Sequence, residues 1–195
     1  MPMADTTLSQ RLRAATEVIH QQTESLPFAA RLMAPDLDRD TYARTLARML
    51  GVIGPLEAAV TEADRDGALG FLPLPQAGSI VADLFRLGWD EGRVGGLPLA
   101  PLPPGLDITP AAAGVAYLLD GSLLGGRVVA RRLRDSLGPE VAGSLSFHAD
   151  DPAASQQWQL CRAWLDGLPA DWADGAEAGA LSAFTALRDW MAGAP

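Results

Sequence analysis

The chain has 195 residues, 48% of them hydrophobic, and a formal net charge of −9. This length and apolar content suit one packed globule, so we expect residues 1–195 to form a single domain. A strongly acidic net charge opposes a large basic surface that could bind a phosphate backbone, which argues against nucleic acid as a partner. No apolar run reaches the roughly 18 residues of a membrane span, and the N-terminus lacks a signal-peptide pattern. We therefore expect a cytoplasmic protein that does not contact a membrane.

Two residue counts narrow the chemistry further. Cys161 is the single cysteine, which excludes an intrachain disulfide, and its apolar neighbours at helical spacing predict a core position. All fifteen basic residues are arginine. The absence of lysine excludes a lysine Schiff base, and any anionic ligand must be met by arginine.

The first predicted helix covers residues 7–24. Thr7 and Gln10 form a capping box, in which each side chain satisfies a backbone N–H of the first turn. Apolar residues then recur at spacings of three and four, which predicts one buried face; they are Leu8, Leu12, Ala15 and Ile19.

A polar stripe runs beside that face and contains Arg13, Glu17, His20 and Glu24. An imidazole binds metal through one ring nitrogen and needs a hydrogen bond at the other to fix its tautomer. Glu24, one turn after His20, could supply that bond. The same pair is also typical of an ordinary surface helix, where it stabilises by a few tenths of a kcal/mol.

The rest of the chain also shows helical periodicity, interrupted by proline and glycine. Asp38 or Asp40 is predicted to cap a helix that ends at Asp66 and kinks at Pro55. The later helices are predicted at about residues 79–89, 109–137, 139–147, 152–168 and 174–192, with N-caps at Thr109 and Asp151 and an ordered loop at 92–107. Leu181, Phe184, Leu187 and Met191 are expected on the apolar face of the last helix. No segment alternates like a strand, so we predict an all-α, compact bundle of about seven helices.

Three glycines lie in the middle of the predicted helix at 109–137: Gly121, Gly125 and Gly126. Each interior glycine costs about 0.5–1 kcal/mol relative to alanine, so the group needs a physical reason. Gly121 and Gly125 share one face, which lets another backbone or a flat ligand approach the main chain. A close helix crossing alone would also explain them.

Taken together, these segments resemble haem oxygenases. The pattern LRxxTxxxHxxxE, formed by Leu12, Arg13, Thr16, His20 and Glu24, is similar to the proximal helix of that family. YLLDGSLLGG at 117–126 is similar to its glycine-rich distal helix, and RAWLDGL at 162–168 to a late helix whose basic residue meets a haem propionate. The resemblance covers most of the chain in order. It is strongest to the bacterial branch that supplies biliverdin to bacteriophytochromes.

The resemblance implies a role for each matching residue. His20 would ligate the haem iron, and Glu24 would hydrogen-bond the second ring nitrogen. The glycines of the distal helix, Gly121, Gly125 and Gly126, would lie over the other haem face. Arg13, Arg162 and Tyr117 would hold the propionates, with Arg11 and Arg127 as weaker candidates.

One position departs from the family pattern. Many members carry an aspartate after the first distal glycine, where it orders water; here that residue is Ser122. Asp120 lies about 200° around the helix from Ser122, so it cannot simply replace the missing carboxylate. Our hypothesis is that protons reach the distal side through water and Ser122. His148, in the sequence HADD, is predicted to be a surface residue rather than a second ligand.

The implied activity is cleavage of haem to biliverdin, ferrous iron and CO, using O2. Electrons would come from a ferredoxin or a reductase, because the sequence holds neither a dinucleotide-binding glycine loop nor a cysteine cluster for iron–sulfur. Two alternatives remain open. One is a haem-binding carrier or sensor without turnover, suggested by Ser122; the other is a haem-free helical protein that binds a small molecule or another protein.

Overall fold

The structure is a computed structural model that describes residues 6–148 and 152–193. All regular structure in that part of the chain is helical, so the predicted all-α fold is confirmed. The α-helices are α1 (Leu8–Glu24), α2 (Pro27–Leu32), α3 (Arg39–Ala63), α4 (Ala77–Arg86), α5 (Glu91–Gly95), α6 (Thr109–Ser122), α7 (Gly126–Leu137), α8 (Pro139–Ser144), α9 (Pro152–Asp166) and α10 (Ala173–Met191). Leu123–Gly125 and Ala170–Trp172 form 3-10 turns.

Side-chain caps set several of the helix starts as predicted. The capping box of α1 is present, with the Thr7 N–H donating to Gln10 Oε1 at 3.1 Å and the Gln10 N–H to Thr7 Oγ1. Asp38 caps α3 by accepting from the Thr41 N–H at 2.8 Å. The predicted N-cap at Thr109 is wrong by one residue, because Ile108 holds the extended cap position. Asp151, the predicted cap of α9, lies outside the described residues.

The predicted number of helices is too low, for local reasons. The short helix α2 begins with a proline, whose fixed φ suits the first helical position. The short helix α5 occupies the start of the predicted 92–107 loop, because Asp90 accepts from the Arg93 N–H at 2.7 Å and caps it. The single helix predicted over 109–137 is wrong, since the turn at Leu123–Gly125 divides it.

The core centres on α6, which packs against α3, α9 and α10. The whole run from Ala112 to Asp120 is buried, so this helix has no solvent face over its middle turns. Within α10, Phe184 and Met191 are buried as predicted, whereas Leu181 is 36% exposed. Cys161 is fully buried, as predicted for a core residue.

The axes of α6 and α10 cross at two glycines. A methyl group at Gly114 would lie 2.0 Å from the Ala176 carbonyl oxygen, and one at Gly179 would lie 2.1 Å from the Ala111 carbonyl oxygen. Real Cβ atoms do not approach backbone so closely. Each helix therefore packs its main chain against the other, and only glycine fits at these two positions.

Among the described residues, no helix combines the length and the apolar content needed to cross a membrane.

We predict that Gly179→Ala destabilises the protein by at least about 1–3 kcal/mol, because the added methyl group forces the two backbones apart. Urea unfolding followed by circular dichroism measures this change. The matched control is Gly78→Ala in α4, where an added methyl group meets nothing within 4 Å. That control should keep or slightly raise the free energy of unfolding. Equal midpoints for the two variants would contradict the inferred backbone contact.

Candidate functional site

The helix α1 places His20 on its outer face. Ser9, Leu12, Thr16, Ile19 and Thr23 form the buried face. The two threonines fit there because each hydroxyl donates to the carbonyl four residues earlier, at 2.8 Å in both cases. The polar stripe predicted from the sequence, which contains Arg13, Glu17, His20 and Glu24, is exposed along its full length.

The His20 imidazole is open to solvent on one side and touches an aromatic ring on the other. Its side chain is 54% exposed, and its Nε2 lies 3.8 Å from Glu24 Oε1. That distance is longer than a hydrogen bond, so the carboxylate does not yet fix the ring. The Phe184 ring of α10 meets the imidazole edge-on, with centroids 5.8 Å apart. The ring is therefore positioned by packing, and its nitrogens remain accessible.

A row of aromatic side chains leads from His20 to the distal glycines. The Phe184 centroid lies 6.5 Å from that of Tyr117, and the Tyr117 centroid lies 5.3 Å from that of Trp158. Trp158 in turn covers Gly121, where an added methyl group would contact its ring at 3.5 Å. The row brings together α1, α10, α6 and α9. It connects the two segments that the sequence analysis singled out.

Tyr117 lies inside this row and is almost fully buried. Burial raises the pKa of its phenol above the usual value, and the Thr16 hydroxyl and the Arg13 charge act in the opposite direction. Tyr117 therefore stays protonated at neutral pH. Its proposed contact with a propionate stays a prediction, because in this structure its ring faces Trp158 and Phe184.

The distal glycines differ from those at the helix crossing. Gly125 is exposed, and a methyl group there would meet nothing within 4 Å. Its φ of −67° is open to every residue type, so the backbone conformation does not require glycine. No close helix crossing explains this position. Gly126 is buried at the first residue of α7.

The residues on either side of Gly121 face opposite environments. Ser122 is exposed, and its Oγ lies 2.7 Å from the Leu119 carbonyl oxygen and 3.3 Å from Gln76 Oε1. Asp120 is fully buried and accepts from the Leu74 N–H and from Gln157 Nε2, both at 3.0 Å. Burial raises the pKa of Asp120 to about 6, and the two hydrogen bonds oppose that rise. As predicted, Asp120 does not replace a carboxylate at position 122.

The arginines predicted to meet propionates are distributed around α1, α7 and α9. Arg13 and Arg162 are exposed, on α1 and α9 respectively. Arg11 is already paired with two carboxylates of α10. Its Nε donates to Glu177 at 2.5 Å, and its guanidinium pairs with Asp174 at 2.6 Å. The side chain of Arg127 lies outside the part of the chain that the structure describes.

The prediction that His148 lies at the surface is wrong. It is buried beside Phe147, and the Tyr42 hydroxyl lies 2.9 Å from its Nδ1. Burial lowers the pKa of His148 to about 4, and the nearby Asp83 only partly opposes this. Asp83 holds the same segment by accepting from the backbone N–H groups of Ser146 and Phe147. His148 is therefore a neutral core residue, because the loop folds inward against α3 and α4.

Sequence reasoning missed Gln76, which the structure places beside Ser122. It directly follows Pro73 and Pro75 and precedes the predicted helix at 79–89, so no sequence signal marked it. Phe184 was predicted only as an apolar position of the last helix, and the apolar spacing in the helix at 152–168 marks Trp158 in the same way. Their contact with the histidine helix and with Gly121 depends on how α9 and α10 cross α6, which spacing alone does not reveal.

Two cavities lie elsewhere. One of about 410 Å³ is lined by Arg48, Leu102 and Trp190 among others, and one of about 230 Å³ by Met33, Val128, Arg131, Arg132 and Asp135. Neither includes His20 or the distal glycines.

Within the described residues, no three imidazole, thiol or carboxylate groups converge on one point as a protein metal site would require.

The structure is an all-helical bundle in which aromatic side chains connect an N-terminal histidine helix to a glycine-rich segment. Comparison with known proteins shows which proteins it resembles. Residues 6–85 match the family model described as heme oxygenase. A haem oxygenase of Xanthomonas campestris pv. campestris is 29% identical over 137 residues, which cover 63% of this chain and 72% of that protein.

Solved structures share the fold over nearly the whole chain. Haem oxygenase 2 of Chlamydomonas reinhardtii, solved without haem, superposes with a TM-score of 0.76 at 21% identity and covers 97% of this chain and 98% of its own. Haem oxygenase-2 of Synechocystis sp. PCC 6803, solved with haem and NO, gives a TM-score of 0.70 at 20% identity, with 95% and 84% covered. At this level of identity, these structures show that the chain has the fold of the haem oxygenases.

The buried groups Asp120 and His148 predict opposite pH effects on stability. The folded pKa of Asp120 is raised from 3.8 to about 6, so its contribution to the free energy of unfolding is lost as pH rises between those values. The folded pKa of His148 is lowered from 6.5 to about 4, so its contribution to the free energy of unfolding is gained as pH rises over nearly the same range. Urea unfolding at several pH values between 4 and 7 measures the balance.

Single substitutions separate the two effects. Asp120→Asn should make the free energy of unfolding rise more steeply with pH than in the wild type. His148→Gln should make it rise less steeply or fall. A wild-type slope in both variants would show that neither group is buried as described.

Proposed function

We propose that this protein degrades haem to biliverdin, ferrous iron and CO, with O2 and with electrons from a separate ferredoxin or reductase. The similarity to haem oxygenases in residues 6–85 and in the fold supports haem degradation in general; the products and the electron source belong to the proposal. The observation that carries it is a pair of accessible groups on the two segments that the aromatic row connects. One is the exposed imidazole of His20, and the other is the glycine face at Gly125, which no packing contact covers.

These residues fit a flat, iron-containing macrocycle. A haem brings its own in-plane ligands, so the protein needs to supply one imidazole, and His20 is accessible for that role. Glu24 can orient the ring, because both side chains are exposed and can rotate until the carboxylate meets the nitrogen that does not bind iron. Arg13 and Arg162, both exposed, would meet the propionates as charge-assisted donors. Bound haem would supply the iron that activates O2, and its own ring would be the substrate.

The chain's own residues would control water and access. Gly125 is exposed and carries no side chain, so its main chain would face the distal side of the ring, whereas Gly121 lies under the Trp158 ring and Gly126 is buried. The Phe184 ring covers one side of His20 with an apolar surface. Ser122, exposed at the distal break, would orient a water molecule there. The Synechocystis protein that shares this fold was solved with haem and NO, which supports haem as the ligand.

Two further parts of the proposal concern context. The resemblance to the bacteriophytochrome-associated branch suggests that a bacteriophytochrome receives the biliverdin, and the expected location is the cytoplasm. A haem carrier or sensor without turnover is the second candidate, because Ser122 stands where many members have a carboxylate. A haem complex that survives reductant and O2 would favour that candidate.

We expect hemin titration of the wild type to give a saturable Soret band that bleaches into bile-pigment absorption when reductant is added under air. In His20→Ala the axial-ligand spectrum should change and bleaching should be lost, and added imidazole should partly restore the spectrum. The matched control is Val18→Ala on the same helix, where the side chain is 66% exposed and off the polar stripe. An unchanged His20→Ala spectrum would assign the iron ligand elsewhere.

We also predict that Gly125→Leu lowers the affinity for haem by about tenfold or more, because the side chain fills the space that the ring would occupy. The free energy of unfolding should stay at or above the wild-type value, since the position is open. Gly78→Leu, at an open glycine of α4, serves as the control. Wild-type affinity in Gly125→Leu would mean that the ligand does not approach this face.

A further inference from the structure

The break between α6 and α7 is built around one carbonyl group, that of Leu119. In a continuous helix this oxygen would accept from the N–H of residue 123. Here the Leu123 N–H instead contacts the Gly121 carbonyl, and two side chains reach the Leu119 oxygen. Gln76 Nε2 donates to it at 2.6 Å and Ser122 Oγ at 2.7 Å. Side chains therefore satisfy the backbone oxygen that the break releases.

Gln76 is held firmly enough to fix that arrangement. It is 1% exposed, and it lies at the N-terminus of α4. Its backbone N–H donates to the Glu57 carboxylate of α3, which also accepts from the Ala77 N–H at 3.1 Å. The Leu119 oxygen can only accept, so it fixes the amide orientation, and Oε1 of Gln76 points toward Ser122.

The Ser122 hydroxyl has one proton and two neighbours that can only accept it. These are the Leu119 carbonyl oxygen at 2.7 Å and Gln76 Oε1 at 3.3 Å. The proton must point inward to one or both of them, because two facing acceptors without a proton between them repel. The lone pairs of Oγ are then the only groups left for the solvent side, where Ser122 is exposed.

We propose that Gln76 is a positioning residue, which, with the Leu119 carbonyl, turns the Ser122 proton inward so that Ser122 meets distal water only as a hydrogen-bond acceptor. This inference rests on the proposed function. A water molecule that donates one hydrogen to Ser122 has its other hydrogen and its lone pairs in defined directions. A serine held in this way only accepts hydrogen bonds from water, as a carboxylate would, because each then offers only acceptor atoms.

The test compares Gln76→Met with Gln157→Met. Methionine keeps the length of the side chain and removes both hydrogen-bonding groups. Gln157 is the matched control because it also donates to a buried group of α6, the Asp120 carboxylate, and has no contact with Ser122. Each variant is loaded with hemin. We measure haem affinity, turnover with reductant under air, and the pH midpoint of the visible-spectrum transition of the ferric complex.

We expect Gln76→Met to bind haem normally, to turn over about five-fold more slowly, as the loss of one neutral hydrogen bond implies, and to shift the spectral midpoint. Gln157→Met should leave that midpoint unchanged. Ser122→Ala should show the same two defects, and adding Gln76→Met to it should cause no further change, because the glutamine acts through the serine.

Additive effects in the double variant, or a wild-type midpoint in Gln76→Met, would overturn the assignment of Gln76 while leaving haem degradation intact. Equal shifts in Gln157→Met would also overturn it, by showing that any loosening of this region has the same effect. A wild type that gives no Soret band would overturn the proposed function itself, and with it this inference.

Discussion

The contact of α6 with α10 at Gly114 and Gly179 is the constraint on which the rest of the structure depends. Because two backbones touch there, the axes of these helices are closer than side chains would allow. Phe184 of α10 and Tyr117 of α6 lie one to two turns beyond the crossing and meet as a direct result. The helix α1 packs on the same α10 surface, so His20 is set against Phe184. A change at the crossing would therefore increase the distance between His20 and the distal helix.

Glycine therefore has two different uses within one helical segment. At Gly114 it is required by packing, since a methyl group would overlap the partner backbone. At Gly125 neither packing nor backbone conformation requires it, and an interior helical glycine costs about 0.5–1 kcal/mol relative to alanine. Gly78 in α4 is open in the same way, so the contrast with Gly114 separates a glycine that packing requires from glycines that it does not require.

Sequence patterns predicted the parts of this structure that depend on local physics. The capping box at Thr7, the exposed stripe that carries His20 and the burial of Cys161 follow from spacing and side-chain chemistry alone. The division of α6 from α7 could not be predicted in the same way, because it depends on Gln76, a residue distant in sequence that binds the Leu119 carbonyl. His148 was misjudged for a similar reason: its polar neighbours in the sequence suggested a loop in solvent. Tyr42 and Asp83, on α3 and α4, draw that loop into the core.

The surroundings of position 122 suit a hydroxyl better than a carboxylate. Two acceptors, the Leu119 carbonyl and Gln76 Oε1, face the side chain, and a hydroxyl can donate to them. A carboxylate in the same rotamer would bring a third acceptor and a negative charge against them, with no proton to share. Ser122 is therefore matched to Gln76.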